Sequence, residues 1–111
     1  MADFIYLFRG AEPPQGSPEQ MQREMQKWRV WIDELGKKGQ YKAGEPLDRT
    51  GKVVSGKQKV ITDGPYTEAK DLVGGYLLVA AESLADAAEL AKGCPIFENG
   101  GLVEVRPVMK M

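Results

Sequence analysis

The residues best suited to chemistry lie in one stretch of the chain, from Asp63 to Asp71. Asp63 begins an Asp-Gly-Pro turn, Tyr66 supplies a phenol and Glu68 supplies a second carboxylate. Carboxylates act as general bases when burial raises their pKa, so Asp63 and Glu68 are candidate catalytic residues and Tyr66 a candidate ligand contact, above a cleft for a small molecule. The structural alternative is that Asp63 satisfies backbone N–H groups of its own turn.

Aromatic and basic side chains elsewhere form a second group of candidate ligand contacts. Trp31 stands at the edge of a helical stripe and is expected to line a pocket or a dimer interface, whereas Trp28 is expected in the core. Tyr76 lies in an apolar run, and its hydroxyl reaches either a cavity or a partner in the core. Arg9 and Arg106 end two predicted strands, where each either anchors an anionic substrate or forms an ion pair.

The composition excludes several other kinds of active site. The 111 residues include no histidine and one cysteine, Cys94. Without histidine there is no Ser-His-Asp triad, Cys-His dyad or His-ligated zinc, and a single cysteine forms neither a disulfide framework nor a CxxC redox pair. Only oxygen ligands remain for a metal, and no calcium-loop motif is present, so neither a metal nor a cofactor is predicted.

Charge is balanced over the whole chain but not along it. Fifteen Lys and Arg residues against 16 Asp and Glu residues give a net charge of −1, which argues against nucleic-acid or membrane-surface binding. Residues 37–59 carry seven basic and two acidic residues, so they are +5 and the rest of the chain is −6. This basic region supports an alternative function, a transcription-associated regulatory or interaction module. A solvated, lysine-rich edge strand is the commoner explanation.

No targeting or membrane segment is predicted. The apolar run near Met1 is too short for a signal-peptide core and lacks a cleavage site, and no stretch approaches the roughly 20 apolar residues of a membrane helix. The single cysteine suits a reducing compartment, so we expect a cytoplasmic protein. The length is that of one domain, residues 1–111.

The hydrophobic pattern predicts the strands that position these side chains. Residues 3–9 and 74–81 are apolar on both faces, as in central strands of a sheet. Shorter strands are predicted at 41–47 and 102–108. Residues 53–62 form either one bulged strand or a hairpin that turns at Ser55-Gly56-Lys57.

Two helices are predicted between the strands. Helix 1 begins at the capping box Ser17-Pro18-Glu19-Gln20, and its C-terminal stop is Gly36 and Gly39, which bracket Lys37-Lys38. Helix 2 begins at Ser83 and ends at Gly93. One stripe of helix 1 is expected to be buried, namely Met21, Met25, Trp28, Ile32 and Leu35.

The order of these elements is that of an α+β, ferredoxin-like split βαβ fold with an antiparallel sheet. Right-handed crossovers place both helices on one face of the sheet, so they cover only that face. The strands at 3–9 and 74–81 are nevertheless apolar on both faces, and a large exposed apolar face is not tolerated on a monomer. We therefore predict a homodimer in which two sheets meet about a twofold axis.

Two segments together resemble a known family. The first is Asp63-Gly64-Pro65-Tyr66, followed by Gly74-Gly75-Tyr76, and the second is Gly101 to Val108. They resemble the YCII-related family, in particular its branch named for a DGPF signature, with tyrosine in place of phenylalanine. The resemblance extends over the whole chain and includes the Trp-rich first helix, Gly44-Glu45-Pro46-Leu47 and Cys94-Pro95.

The resemblance implies a dimeric α+β barrel of ferredoxin-like protomers, in agreement with the burial argument. It implies little about activity, because the His–Asp pair suggested as an active site in the wider family needs a histidine that this chain lacks. Relatives in this branch have also been labelled transcription-initiation or sigma-factor-associated proteins. We expect a small-ligand-binding or cofactor-free enzyme-like dimeric barrel that uses carboxylate and tyrosine groups near the DGPY loop.

Overall fold

The computed structural model describes residues 1–11, 16–64 and 71–111. Within them, no helix is long and apolar enough to cross a membrane. The elements, in chain order, are β1 (Ala2–Arg9), α1 (Pro18–Lys37), β2 (Tyr41–Pro46), β3 (Gly51–Ser55), β4 (Val60–Gly64), β5 (Val73–Ala81), α2 (Leu84–Ala91), a short 3₁₀ helix (Pro95–Asn99) and β6 (Leu102–Pro107).

Four of the strands form one antiparallel sheet in the order β2-β5-β1-β6. This is the strand order of a ferredoxin-like protomer and confirms the predicted α+β fold. Within the described residues, β3 and β4 pair with each other in a separate two-stranded sheet, so residues 53–62 form a hairpin. Gly56 and Lys59 both have positive φ in its turn, at 76° and 58°, and the Lys59 amide donates to the Gly56 carbonyl at 3.1 Å.

The helices begin at the predicted caps. At the start of α1, the Gln20 amide donates to Ser17 Oγ at 3.2 Å, and the Ser17 amide donates to Gln20 Oε1 at 2.9 Å. This reciprocal pair satisfies two backbone N–H groups that the helix cannot pair itself. Ser83 caps α2 with a single hydrogen bond, which its side chain accepts from the Asp86 amide at 3.1 Å.

Both helices pack on the same face of the sheet, where β1 presents its aromatic side chains. The Tyr6 hydroxyl donates to the Ala87 carbonyl of α2 at 2.5 Å, and the Tyr6 ring stacks on Trp31 of α1 with centroids 6.1 Å apart. Phe8 meets Trp28 edge-to-face at 5.0 Å. β1 therefore joins the two helices into one core.

The buried stripe of α1 differs from the predicted one. Met21 and Met25 are 42% and 59% exposed. Trp31 is almost fully buried and Trp28, which packs against the core, is only half-buried, so the more deeply buried indole is the one expected at the edge of the stripe. Periodicity gives the direction of a stripe around a helix, but the sheet below decides how the helix is rotated and which turns are covered. The Trp31 ring fits because Gly93 has no side chain: a Cβ there would lie 3.1 Å from it.

The molecule is a plate of 46 × 45 × 19 Å with a hairpin that stands away from it. Its radius of gyration is 15.6 Å, whereas about 13 Å is expected for a compact domain of this length. Residues 51–64, here called the hairpin arm, make their described contacts chiefly between their own two strands. An arm away from the core accounts for the large radius.

Candidate functional site

The sheet face opposite the helices, here called the open face, carries a patch of apolar side chains. Ile5 and Leu7 of β1 alternate with the aromatic residues that face the helices, so they lie on the open face. In the register of β1 with β5, Ile5 is opposite Leu78 and Leu7 is opposite Tyr76. All four residues are half-buried, because neither α-helix lies on this side.

Carboxylates of the edge strands flank this patch. Glu104 of β6 lies opposite Leu7, and Glu45 of β2 lies opposite Tyr76. One row across the sheet therefore consists of Glu45, Tyr76, Leu7 and Glu104. Neighbouring strands are about 4.8 Å apart, so the row spans about 14 Å, enough to accommodate a small aromatic ring between its ends. The row places a phenol and an apolar side chain between two carboxylates.

Arg9 ends β1 on the same face, where two hydrogen bonds hold its guanidinium. Its Nε donates to Glu104 Oε1 at 2.9 Å, and its Nη1 donates to the Asp71 carbonyl at 2.7 Å. A guanidinium beside apolar walls is suited to bind a carboxylate or phenolate. It lines a pocket of about 360 Å³, here called the Arg9 pocket, together with Leu47, Asp48, Thr50, Asp71, Leu72 and Val73.

Asp48 places a hydrogen-bonded carboxylate at the rim of the Arg9 pocket. Its carboxylate accepts from the Thr50 amide at 3.1 Å and from the Thr50 hydroxyl at 3.3 Å. The backbone hydrogen bonds from Thr50 and then Arg49 hold the pKa of this carboxyl below its usual value. Asp48 therefore shapes the linker between β2 and the hairpin arm.

Two of the predicted ligand contacts lie on the open face and one does not. Tyr76 is in the row described above, and Arg106 lies on the same face, exposed, opposite Ile5. Trp31 is on the helix side, where its Nε1 donates to the Leu90 carbonyl at 3.3 Å. The edge of its ring lines a separate groove of about 620 Å³ between α1 and the 3₁₀ helix. Trp31 and Tyr76 are therefore on opposite faces of the sheet.

The predicted loop residues are only partly described. Asp63 lies at the end of the hairpin arm, with its side chain 90% exposed and paired with Lys52. Tyr66 and Glu68 lie outside the described residues. Asp63 belongs to an exposed ion pair in this chain, and the structure does not bring it to Tyr76.

Glu104 and Asp71 are site residues that sequence reasoning missed. The alternation in β6 indicates that Glu104 and Arg106 share a face, but the partner strand and the register are needed to place Glu104 beside Arg9. The Asp71 contact is made by a backbone carbonyl, which no residue type reveals. Within the described part of the chain, no group of three or more His, Cys, Asp or Glu side chains is arranged to hold a metal ion.

The basic region 37–59 is divided among the end of α1, β2 and the hairpin arm. Lys42 pairs with Asp3 at 2.9 Å, and Lys52 pairs with Asp63. Its positive charge is therefore spread over three elements and partly neutralised.

Comparison with known proteins agrees with this architecture. The chain is similar in structure to 5-chloro-2-hydroxyhydroquinone dehydrochlorinase from Burkholderia phenoliruptrix AC1100, solved in complex with 2,5-dihydroxybenzoquinone. The two are 19% identical with a TM-score of 0.55, over 98% of this chain and 95% of that chain, which shows a common fold. No curated protein matches the sequence. The model of the YCII-related domain matches residues 5–111, and the chain therefore belongs to the YCII-related family.

Proposed function

We propose that two copies of this chain pair through their open faces and enclose a site for a small, acidic, hydroxylated aromatic molecule. The row of Glu45, Tyr76, Leu7 and Glu104, with Arg9 beside it, carries this proposal. The row combines an apolar surface for a ring with groups that bind hydroxyl and acid substituents. Sites for small molecules have this combination of apolar walls and few polar groups.

The half-buried patch of Ile5, Leu7, Tyr76 and Leu78 supports pairing through the open face. A second copy covers this patch with its own identical patch, so both protomers use the same surface, which is the usual geometry of a homodimer. It also closes the row from above and removes the ligand from water. Binding groups act more strongly in such an enclosed site.

The polar groups of the row have distinct roles in this proposal. The Arg9 guanidinium, held by Glu104, binds the negative charge of the ligand. The Tyr76 hydroxyl donates a hydrogen bond to a ligand oxygen. Glu45, across the strand pair from Tyr76, accepts a proton from a ligand hydroxyl, which is the step through which the site would do cofactor-free acid–base chemistry.

The DGPY loop is part of the same proposal. It ends at Asp71, whose carbonyl accepts from Arg9 at the Arg9 pocket. We therefore keep Tyr66 as a proposed ligand contact and Glu68 as a proposed acid–base group, while Asp63, paired with Lys52 on the hairpin arm, is kept only as a candidate for mutagenesis. The structural neighbour, which was solved with the planar and acidic hydroxyquinone 2,5-dihydroxybenzoquinone, supports a flat, hydroxylated six-membered ring as the ligand.

Ligand binding is tested with 2,5-dihydroxybenzoquinone and a series of hydroxybenzoic acids as probes. We expect at least one of them to raise the melting temperature of the wild-type protein. Tyr76→Phe removes the proposed hydrogen bond to a charged ligand and should weaken binding about tenfold in a calorimetric titration. The matched control is Tyr41→Phe, because Tyr41 lies opposite Val79 on the helix side of the sheet.

Two results would contradict the proposal. One is that no probe of this class stabilises the protein. The other is that Tyr76→Phe binds the best probe as tightly as Tyr41→Phe does. Salt-sensitive retention on heparin, without stabilisation by any probe, would favour the alternative function of the basic region 37–59.

A further inference from the structure

We infer that the hairpin arm of each protomer packs against the partner copy, and that the exposed pair Val54 and Ile61 forms the contact. This inference rests on the proposed dimer and adds a second interface to the open face. It concerns the arm alone, so the docking of the arm can be disproved without disproving the proposed ligand site.

The arm is too small to be stable by itself. A two-stranded hairpin is marginal in water unless it packs against another element. Val54 and Ile61 lie directly opposite each other in the β3–β4 register and are 62% and 66% exposed. A cross-strand pair of branched apolar side chains is the kind of surface that stabilises a hairpin when it is covered.

The two faces of the arm differ. By alternation, Lys52 and Asp63 lie on the same face as Val54 and Ile61, and their ion pair borders the apolar pair. The opposite face carries Val60, opposite Ser55, and Val53, opposite Thr62, and Val53 is already half-buried in the protomer. An apolar centre with a polar border is the composition of a protein interface. The face with Val54 and Ile61 is therefore the one that docks.

Charge favours another copy of this chain as the partner. Residues 51–64 carry three lysines and one aspartate, so the arm has a net charge of +2. The whole chain is −1, so the remainder of each copy is −3. The arm of one protomer and the body of the other therefore attract each other.

The position of the arm makes this contact possible. It follows the end of β2, where the Leu47 amide donates to the Gly74 carbonyl at 2.9 Å beside the open face. The arm is therefore attached at the edge of the proposed interface, and in the inferred contact it reaches the partner from there. The linker that carries the arm includes Asp48 and Thr50 of the Arg9 pocket, so docking of the arm also holds one wall of that pocket.

A double variant, Val54→Thr with Ile61→Thr, tests the inference in the full chain. Threonine retains the branched shape that strands favour but is less apolar. We expect the dimer dissociation constant, measured by sedimentation equilibrium, to rise at least about tenfold, since the twofold axis buries the pair twice. The matched control, Val60→Thr on the other face, should change it less than about twofold.

The possible outcomes distinguish docking of the arm from pairing of the open faces. A dimeric wild type whose dissociation constant is unchanged in the double variant overturns docking of the arm and leaves the open-face dimer standing. A wild type that is monomeric at micromolar concentration overturns both. Loss of folding in the double variant is detected by circular dichroism, and the test then moves to hydrogen exchange of the wild type.

Hydrogen exchange measures the contact without substitution. We expect the amides of residues 51–64 to be protected above the dissociation constant and to lose protection on dilution below it, while β1 and β5 stay protected. Protection of the arm that does not depend on concentration would mean that it packs on its own chain. That result overturns the inference.

Discussion

At the scale of single residues, two buried titratable side chains set the alkaline limit of stability. Burial raises the pKa of Tyr6 from 10.0 to about 12, to which the neighbouring Cys94 adds, and burial raises the pKa of Cys94 from 9.0 to about 12. Folding therefore favours the neutral form of each group. The stabilisation that each neutral group contributes is fully present when the pH is below the pKa of that group in the unfolded chain. It is lost as the pH rises through the pKa of the group in the folded protein.

We expect the free energy of unfolding to be constant near neutral pH and to fall between about pH 9 and pH 12. Cys94 alone should account for a loss of about 3 kcal/mol near pH 11. Urea unfolding at a series of pH values measures this profile. In Cys94→Ala the fall should begin about one pH unit higher, where Tyr6 titrates. Identical profiles for the two proteins would contradict the assignment.

Tyr6 also joins β1 to α2 through its hydroxyl. The bond to the Ala87 carbonyl is 2.5 Å long and buried. We expect Tyr6→Phe to lower the free energy of unfolding by about 1–2 kcal/mol, because the carbonyl loses a partner that no water replaces. Urea unfolding measures the change, and Tyr41→Phe at a partly exposed position is the control. A Tyr6→Phe protein as stable as the control would show that the bond contributes nothing net.

At the scale of elements, the pairing of β2 with β5 depends on a close approach at Gly44. A Cβ at this position would lie 2.7 Å from the Tyr76 carbonyl oxygen and would also meet the Leu77 side chain. We expect Gly44→Ala to cost about 1–3 kcal/mol of stability, because the backbone of the neighbouring strand must move. Thermal unfolding measures the loss. Full stability in Gly44→Ala would mean that the two strands are farther apart.

The matched substitution in α1 should have the opposite sign. Gly36 lies in the last turn of the helix, and a Cβ there meets nothing within 4 Å. Alanine restricts the unfolded chain and favours helix, so Gly36→Ala should raise the free energy of unfolding by about 0.5–1 kcal/mol. The same thermal unfolding experiment checks it. A loss of stability would show that this glycine has a role in ending the helix.

At the scale of the whole molecule, the plate has one face covered by helices and one open face. In solution we expect a mass of 24.4 kDa, twice the 12.2 kDa of one chain, by light scattering at micromolar concentration. Leu78→Asp places a charge in the centre of the proposed interface and should give the monomer mass. Val30→Asp, on exposed α1 surface, is the control and should remain dimeric. A dimeric Leu78→Asp protein would place the interface elsewhere.

Much of the fold follows from local patterns. The capping box at Ser17 and the cap at Ser83 start their helices where predicted, since these contacts involve residues three apart in the chain. Much less of the candidate site could be predicted from local patterns. Tyr76 and Arg106 lie on the open face, but Trp31 lies on the other side, and Glu104 was not anticipated. Side chains from different strands become neighbours only through the register, which local patterns do not contain.

The sequence by itself determined where both helices begin, the order of the two helices and of the strands of the main sheet, and the two-sided apolar character of β1 and β5. Each of these depends on periodicity or on capping between residues close in the chain. The tertiary structure decided that residues 53–62 turn back as a hairpin, that Trp31 rather than Trp28 is the buried indole, and that Glu104 meets Arg9. These depend on how elements distant in the chain rotate and align against one another, which is settled only when the sheet and helices pack.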